Sequence, residues 1–295
     1  MFYGLISSLI VGTTYGLIIS LLAVGLSLIY GVMQNVNTAH GAYYMLGGVL
    51  AFVVSYYLRL PPALALILVA GLVFIIGIGA LKLTIPANSR VTVDPDRQNF
   101  VMITFLAFAT IAEYSVLLIF GPNTVAAPSI VNGSTQIIAN VFVTNQTLLA
   151  SVITLLGYLL LYMFLRLTKM GKGIRAYTQN KETAEALGVD GQRLAFMVYG
   201  IGVIMAAISG ALLASIFSID SSAGWNELVI AFVIVTLGGI GSIFGSLIGG
   251  LIYGIIYSIM LYYYPSYAFI AVLLIIFALL LIKPTGILGE IIERA

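Results

Sequence analysis

Side chains able to do chemistry are scarce in this sequence. It has one histidine, no cysteine and 10 Asp and Glu in 295 residues. Without cysteine there are no disulfides, no thiolate nucleophile and no thiolate metal site. The histidine, His40, stands in Asn37-Thr38-Ala39-His40-Gly41 between two apolar runs. It has no second His and no adjacent acid, so no metal site is expected. Paired acids and nucleophile–base arrangements are missing too, which argues against an enzyme. Glu113 is the acid expected well inside an apolar run, where a charge costs about 3 kcal/mol on membrane-insertion scales. Groups of this kind usually face a bundle interior or a water-filled cavity. Two readings of Glu113 follow. Either its carboxylate lies on a pathway and attracts a substrate ammonium group, or it is a protonated acid bonded to a neighbouring helix. Asn37 and His40 also have two readings. A polar stretch at membrane depth must be buried by protein or line water; otherwise it is a loop just outside the bilayer with His40 as a bonded structural residue.

The elements that must position these groups are apolar. The chain is 61% hydrophobic and 7% charged, against about 25% charged in soluble domains. Runs of about 17–25 apolar residues recur throughout, each long enough to cross a bilayer as a helix. The in-out alternation of a membrane β-barrel is absent. The expected fold is therefore all-α: one integrated polytopic transmembrane bundle over 1–295 with about eight or nine spans, some short or broken. The spans are expected at 4–31, 42–58, 63–84, 100–120, 147–165, 194–217, 228–243, 245–263 and 267–282. Gly241, Gly245 and Gly249 recur at intervals of four, as Gly250 and Gly254 do, a spacing that lets helices approach closely. No Gly-Lys-Ser/Thr follows them, so they do not form a nucleotide loop.

Charge sets the orientation. Lys82, the loops 85–99 and 166–193 and the tail from Lys283 gather nearly all Lys and Arg on one side, with Arg59 opposite. Cytoplasmic loops carry the Lys and Arg excess. The N-terminus is then expected outside and the C-terminus inside a cytoplasmic membrane. The N-terminal run is too long for a signal peptide and lacks its cationic flank, so it is expected to be a span. The uncharged loop 121–146 falls outside and carries Asn132-Gly133-Ser134 and Asn145-Gln146-Thr147, two acceptor patterns for glycosylation. Tyr56, Tyr57, Trp225, Tyr262, Tyr263, Tyr264 and Tyr267 are expected near the outer boundary as an interfacial belt.

Half of the chain's 12 Lys and Arg lie in 166–193: Arg166, Lys169, Lys172, Arg175, Lys181 and Arg193. Gly171 and Gly173 are expected to break the preceding span. A helix is expected from Ile174 to Leu187, stopped by Gly188 in a left-handed conformation. Asp190 is placed to cap the helix that returns to the membrane. The loop reads either as an ordinary solvated connection or as a rigid docking element for another protein.

Read with four other segments, this loop resembles the permease subunit of branched-chain amino acid ABC importers of the Liv type. The segments are Gly12-Thr13-Thr14-Tyr15-Gly16-Leu17 with Gly25-Leu26-Ser27-Leu28-Ile29-Tyr30-Gly31; Asn37-Thr38-Ala39-His40-Gly41 with Tyr44-Met45; Leu237-Gly238-Gly239-Ile240-Gly241-Ser242; and Pro284-Thr285-Gly286-Ile287-Leu288-Gly289. The resemblance implies a type II importer-like permease fold and a transport subunit rather than an enzyme. It implies no cofactor in this chain, with ATP and Mg used by two partner ATPase subunits. A second permease subunit, homologous or identical, and an extracytoplasmic substrate-binding protein complete the implied assembly. By position, Ala184, Glu185, Ala186, Leu187 and Gly188 match the coupling helix that meets the ATPase, and Asn37 and His40 match the translocation pathway. The sequence departs from the family pattern at Thr38, where an aromatic is usual, and at Glu113, where an amide is usual. Related permeases that carry urea or short amides, and a stand-alone carrier, are the alternatives.

Overall fold

A computed structural model of the protein describes residues 2–88, 94–138 and 141–289. The expected charge at Arg90, and the tail residues from Glu290, lie outside the described residues or side chains. Seven helices are long and apolar enough to cross a membrane. They are α1 (Phe2–Met33), α3 (Pro62–Asn88), α4 (Asp94–Phe120), α5 (Asn145–Leu167), α8 (Gly191–Ala214), α10 (Ile243–Tyr263) and α11 (Ala268–Ile282), the last extended by a 3-10 turn over Pro265–Tyr267. Two further helices of the bundle are short: α2 (His40–Phe52), prolonged by a π-helical turn over Val53–Tyr57, and α9 (Ala223–Gly238). The polytopic helical bundle expected from composition is thus the fold, with seven helices of span length and two shorter ones among the described residues.

The centre of the bundle is α1, whose second half is almost wholly buried from Ile18 to Ile29. It packs most extensively on α10 and α8, with α9 and α5 completing its surround. Glycine makes the tightest of these contacts possible. Gly12 and Gly16 on α1 face Gly254 and Gly250 on α10, so that a methyl group added at Gly12 would lie 2.5 Å from Ser258 Cβ. Lipid is as apolar as leucine, so close backbone packing replaces the hydrophobic effect as the force between helices. Gly245 and Gly249 serve the same purpose inside the α9–α10 hairpin, against Gly238 and the Ile234 carbonyl. Gly241 is not in that helix. It lies in the turn before α10 with φ +83°, where its N–H donates to Ser27 Oγ of α1 at 3.0 Å.

The connections fall at two ends. At the cation-rich end, the tail Lys283–Gly289 folds back on the end of α9: Ile287 N–H donates to the Leu237 carbonyl at 2.8 Å and Leu288 N–H to Gly238 at 3.0 Å. These bonds satisfy carbonyls that a helix end leaves open. At the opposite end, β1 (Ser134–Ile138) and β2 (Val141–Thr144) form an antiparallel hairpin in the uncharged loop, an element not expected from the sequence. Val125 pairs with Ile219 beside it, and Gln146 Nε2 donates to Ser215 Oγ at 2.5 Å. Of the two glycosylation patterns, Asn132 is exposed. Asn145 Nδ2 is engaged, donating to the Asn132 carbonyl at 3.1 Å.

Candidate translocation site

The two shorter helices begin against each other. His40 opens α2, and its Nε2 meets the Leu22 carbonyl of α1 at 3.0 Å. Leu22 is eleven residues from the Met33 end of α1, about 17 Å at 1.5 Å per residue. The chain from Gln34 to Ala39 therefore turns back along α1, and α2 starts well inside the bundle rather than at its edge. Gln34 has φ +52° at the turn. Gly41 abuts Gly224, the second residue of α9: a methyl group at Gly41 would lie 2.8 Å from the Gly224 carbonyl carbon. The Ser215–Ser222 loop must therefore descend into the bundle before α9 begins. Backbone of this kind is tolerated at membrane depth only where protein buries it or it lines a cavity.

Asn37 and His40 are fully buried. Asn37 Oδ1 accepts from the Ala39 N–H at 3.1 Å and shapes the turn into α2. The His40 ring lies against Gly25 of α1. Their remaining nitrogens, Asn37 Nδ2 and His40 Nδ1, are buried without a partner. Tyr43 and Tyr199 close this layer, their hydroxyls 2.7 Å apart.

Glu113 lies on the other face of the crossing. It shares a cavity of about 10 Å³ with Thr38, Ala42, Ser221 and Gly224, room for about one water. Thr38 and Glu113 thus line one space, while His40 Nε2 points to the Leu22 carbonyl of α1. Glu113 Oε2 accepts from Trp225 Nε1 at 2.5 Å. Trp225, partly buried, thus links α9 to α4. Tyr56, Tyr57, Tyr262, Tyr263, Tyr264 and Tyr267 are all exposed.

A second acid in the bundle was not anticipated. Glu227 belongs to α9, which starts five residues earlier than the expected span at 228. It lines a cavity of about 290 Å³ with Tyr15, Tyr44 and Tyr257. Hydropathy ends a span at an acid, which hid it. The absence of Gly or Pro from Trp225 to Leu237 was the available signal. Among the described residues no three His, Cys, Asp or Glu converge as for a metal.

The cationic loop is two helices, not one. Thr168, in extended conformation, ends α5 and caps α6 (Lys169–Gln179), accepting from the Gly171 N–H at 3.0 Å. Gly171 and Gly173 lie inside α6. Asn180 divides the expected helix and caps α7 (Lys181–Ala186), accepting from the Thr183 N–H at 2.8 Å. Gly188 has φ +85°, and Asp190 caps α8 by accepting from Arg193 N–H at 3.0 Å. Tyr177 donates to Glu185 Oε1 at 3.0 Å and Arg175 to the Leu165 carbonyl, tying α6 to α7 and to α5. Partial burial and the Glu185 carboxylate push the Tyr177 hydroxyl up to about 12, so it stays a donor at neutral pH. Ala184 is 2% exposed and packs inward, whereas Leu187 is 80% exposed. Glu185, Ala186 and Gly188 are exposed beside Leu187.

Seven helices of span length among the described residues, two shorter helices that meet at their starts and glycine-lined helix contacts describe a polytopic membrane protein. Residues 8–282 match the family described as the branched-chain amino acid transport system permease component, and the chain belongs to that family. It is 30% identical over 288 residues to the high-affinity branched-chain amino acid transport system permease protein LivH of Escherichia coli K12, covering 95% of this chain and 94% of the relative. It is 31% identical to the probable LivH of Methanocaldococcus jannaschii, covering 93% and 90%. A solved structure, PsaBC from Streptococcus pneumoniae in complex with Fab, superposes with a TM-score of 0.50 at 12% identity, covering 92% of this chain and 89% of that one. At that identity the likeness concerns the fold alone.

Proposed function

We propose that this chain is the membrane-spanning subunit of an ABC importer that translocates branched-chain or related small amino acids by ATP-driven alternating access. The observation that carries this reading is the α6–α7 element. It is capped at each break, bonded to the end of α5 and joined to α8 by the short turn Leu187–Asp190, so a push on it reaches two spans. Leu187 with Glu185, Ala186 and Gly188 forms the face offered to an ATPase, and Ala184 holds that face to the bundle. Two ATPase subunits using ATP and Mg, a second permease subunit, identical or homologous, and an extracytoplasmic binding protein complete the machine. The cation-rich end is then cytoplasmic, the N-terminus is outside and the chain resides in the cytoplasmic membrane.

In this reading the α2–α9 crossing is the moving part of the pathway. His40 holds α2 to α1, Asn37 shapes the turn into α2, and Glu113 with Trp225 holds α9 to α4. ATP binding drives the ATPases together, displaces α6–α7 and re-aims the crossing toward the other side of the membrane. Purification in mild detergent from the native host tests this: two ATPase chains should accompany the permease. A single species that carries substrate into liposomes without ATP would overturn it.

A further inference from the structure

The cavity around Glu227 is lined by α1, α2, α8, α9, α10 and the loop Phe217–Ile219. Phe217 is 49% exposed at its mouth, and Ser218 is exposed beside it. The mouth thus opens at the end opposite the cationic loops. Its volume of about 290 Å³ stands at the lower end of small-ligand sites, roughly 300–1,000 Å³. Glu227 Oε2 is buried and has no hydrogen-bond partner, although the residue borders the cavity. Tyrosine rings surround it. Tyr15 packs on Tyr253 and Tyr257 with centroids 6.5 and 5.8 Å away, and Tyr253 stacks on Tyr257 at 5.8 Å. No Lys or Arg borders the space.

A buried carboxylate with a free oxygen needs a donor. Aromatic rings around it attract cations as well, and Val11, Leu213 and Leu261 give the remaining wall an apolar stretch beside Ser218 and Ser258. We infer that this cavity is a binding site for the α-ammonium group of an amino acid, with Glu227 as its counter-charge, the tyrosine faces as the cage and the apolar wall for an aliphatic side chain. That the ligand is an amino acid rests on the proposed function; that the cavity selects a monocation rests on its own chemistry. It places an acceptance point in the permease itself, between release from a binding protein and passage at the α2–α9 crossing.

The chain has no cysteine, so Ser218→Cys at the mouth gives a single reporter in the intact complex, read on this chain by mass. A cationic thiosulfonate should label it faster than an anionic one of similar size. Glu227→Gln should lower that rate ratio by about tenfold, the low end of charge focusing in a cleft of one sign, and Glu227→Asp should restore most of it. L-Leucine and isoamylamine should protect the thiol, and 4-methylpentanoate, which lacks the ammonium group, should not. An unchanged rate ratio in Glu227→Gln, in a complex that elutes and melts as the parent does, overturns the cation site. A charge-dependent ratio with no protection by leucine overturns the amino acid as its ligand. Failure of ATP-driven transport with both results intact would count against the importer reading and leave the cavity standing.

Discussion

Replacing Gly41 by alanine adds one methyl group where the starts of α2 and α9 touch. That carbon would lie 2.8 Å from both the Gly224 carbonyl carbon and Leu228 Cβ, with the Gly224 carbonyl oxygen nearer still. Ordinary contact begins at 3.4 Å, so the helices must part by at least about 0.6 Å for the 2.8 Å contacts, and by more to clear the carbonyl oxygen. Two of the obstructing atoms are backbone, which no rotamer change moves. A gap of about 0.5–1 Å forfeits about a quarter to a half of the dispersion across a contact, and overpacking of this kind costs about 1–3 kcal/mol. In chains of 150–250 residues each kcal/mol shifts Tm by about 2–4 °C. Gly41→Ala should therefore melt about 2–12 °C lower in detergent and transport poorly, because the crossing is also the proposed moving part. Gly79→Ala is the matched control. Nothing lies within 4 Å of a methyl group there, and alanine gains up to about 1 kcal/mol over glycine inside a helix. Its melting point should stay level or rise. Equal melting and equal transport in the two variants would refute the close crossing of α2 and α9.

Removing the Trp225 N–H by Trp225→Phe leaves the half-buried Glu113 carboxylate without its donor, a loss of about 1.5–3 kcal/mol. Glu113→Gln keeps the acceptor and should cost less. The double variant should show coupling of at least about 0.5 kcal/mol in thermal unfolding, and strict additivity would show that the pair does not hold α9 to α4. Glu113→Gln should also alter transport or selectivity among amino acids; wild-type behaviour across substrates and pH would remove Glu113 from the pathway. At the cation-rich end, Leu187→Glu should leave stability within about 0.5 kcal/mol, as exposed substitutions do, yet strip the ATPases during purification. The inward-packed Ala184→Leu should lower the melting point instead. Retention of the ATPases by Leu187→Glu would move the docking face elsewhere.

The helices and their charge asymmetry were legible because an apolar run of span length has few other uses and Lys and Arg avoid it. The polar stretch around Asn37 and His40, set between two apolar runs, signalled the interruption before α2. The Gly188 stop and the Asp190 cap were readable from residue type alone, since φ > 0 and an N-cap each favour few residues. Other features were hidden for physical reasons. Thr168 and Asn180 end helices through their own side chains, whereas Gly171 and Gly173 sit inside a helix that tertiary contacts support. Gly171 packs directly on the α5 backbone at Leu165, where a side chain would not fit. Local propensity does not reveal such contacts. Glu227 looked like a boundary because hydropathy counts an acid as interfacial, and only tertiary structure places it beside a cavity. The β1–β2 hairpin has β-branched and aromatic residues at Thr135, Ile137, Val141, Phe142 and Val143, but it is short and lies between long spans. The pairing of Thr38 with Glu113 across one small cavity links residues 75 positions apart, a distance no local pattern spans.

The most direct test of the account is uptake of labelled leucine into liposomes holding the purified permease with its accompanying ATPases, supplied with the binding protein outside and ATP and Mg inside. Uptake is predicted only when ATP is present, and it should vanish with Leu187→Glu while the folded permease remains. Leucine accumulation by the permease alone, without ATP or ATPase chains, would contradict the importer reading.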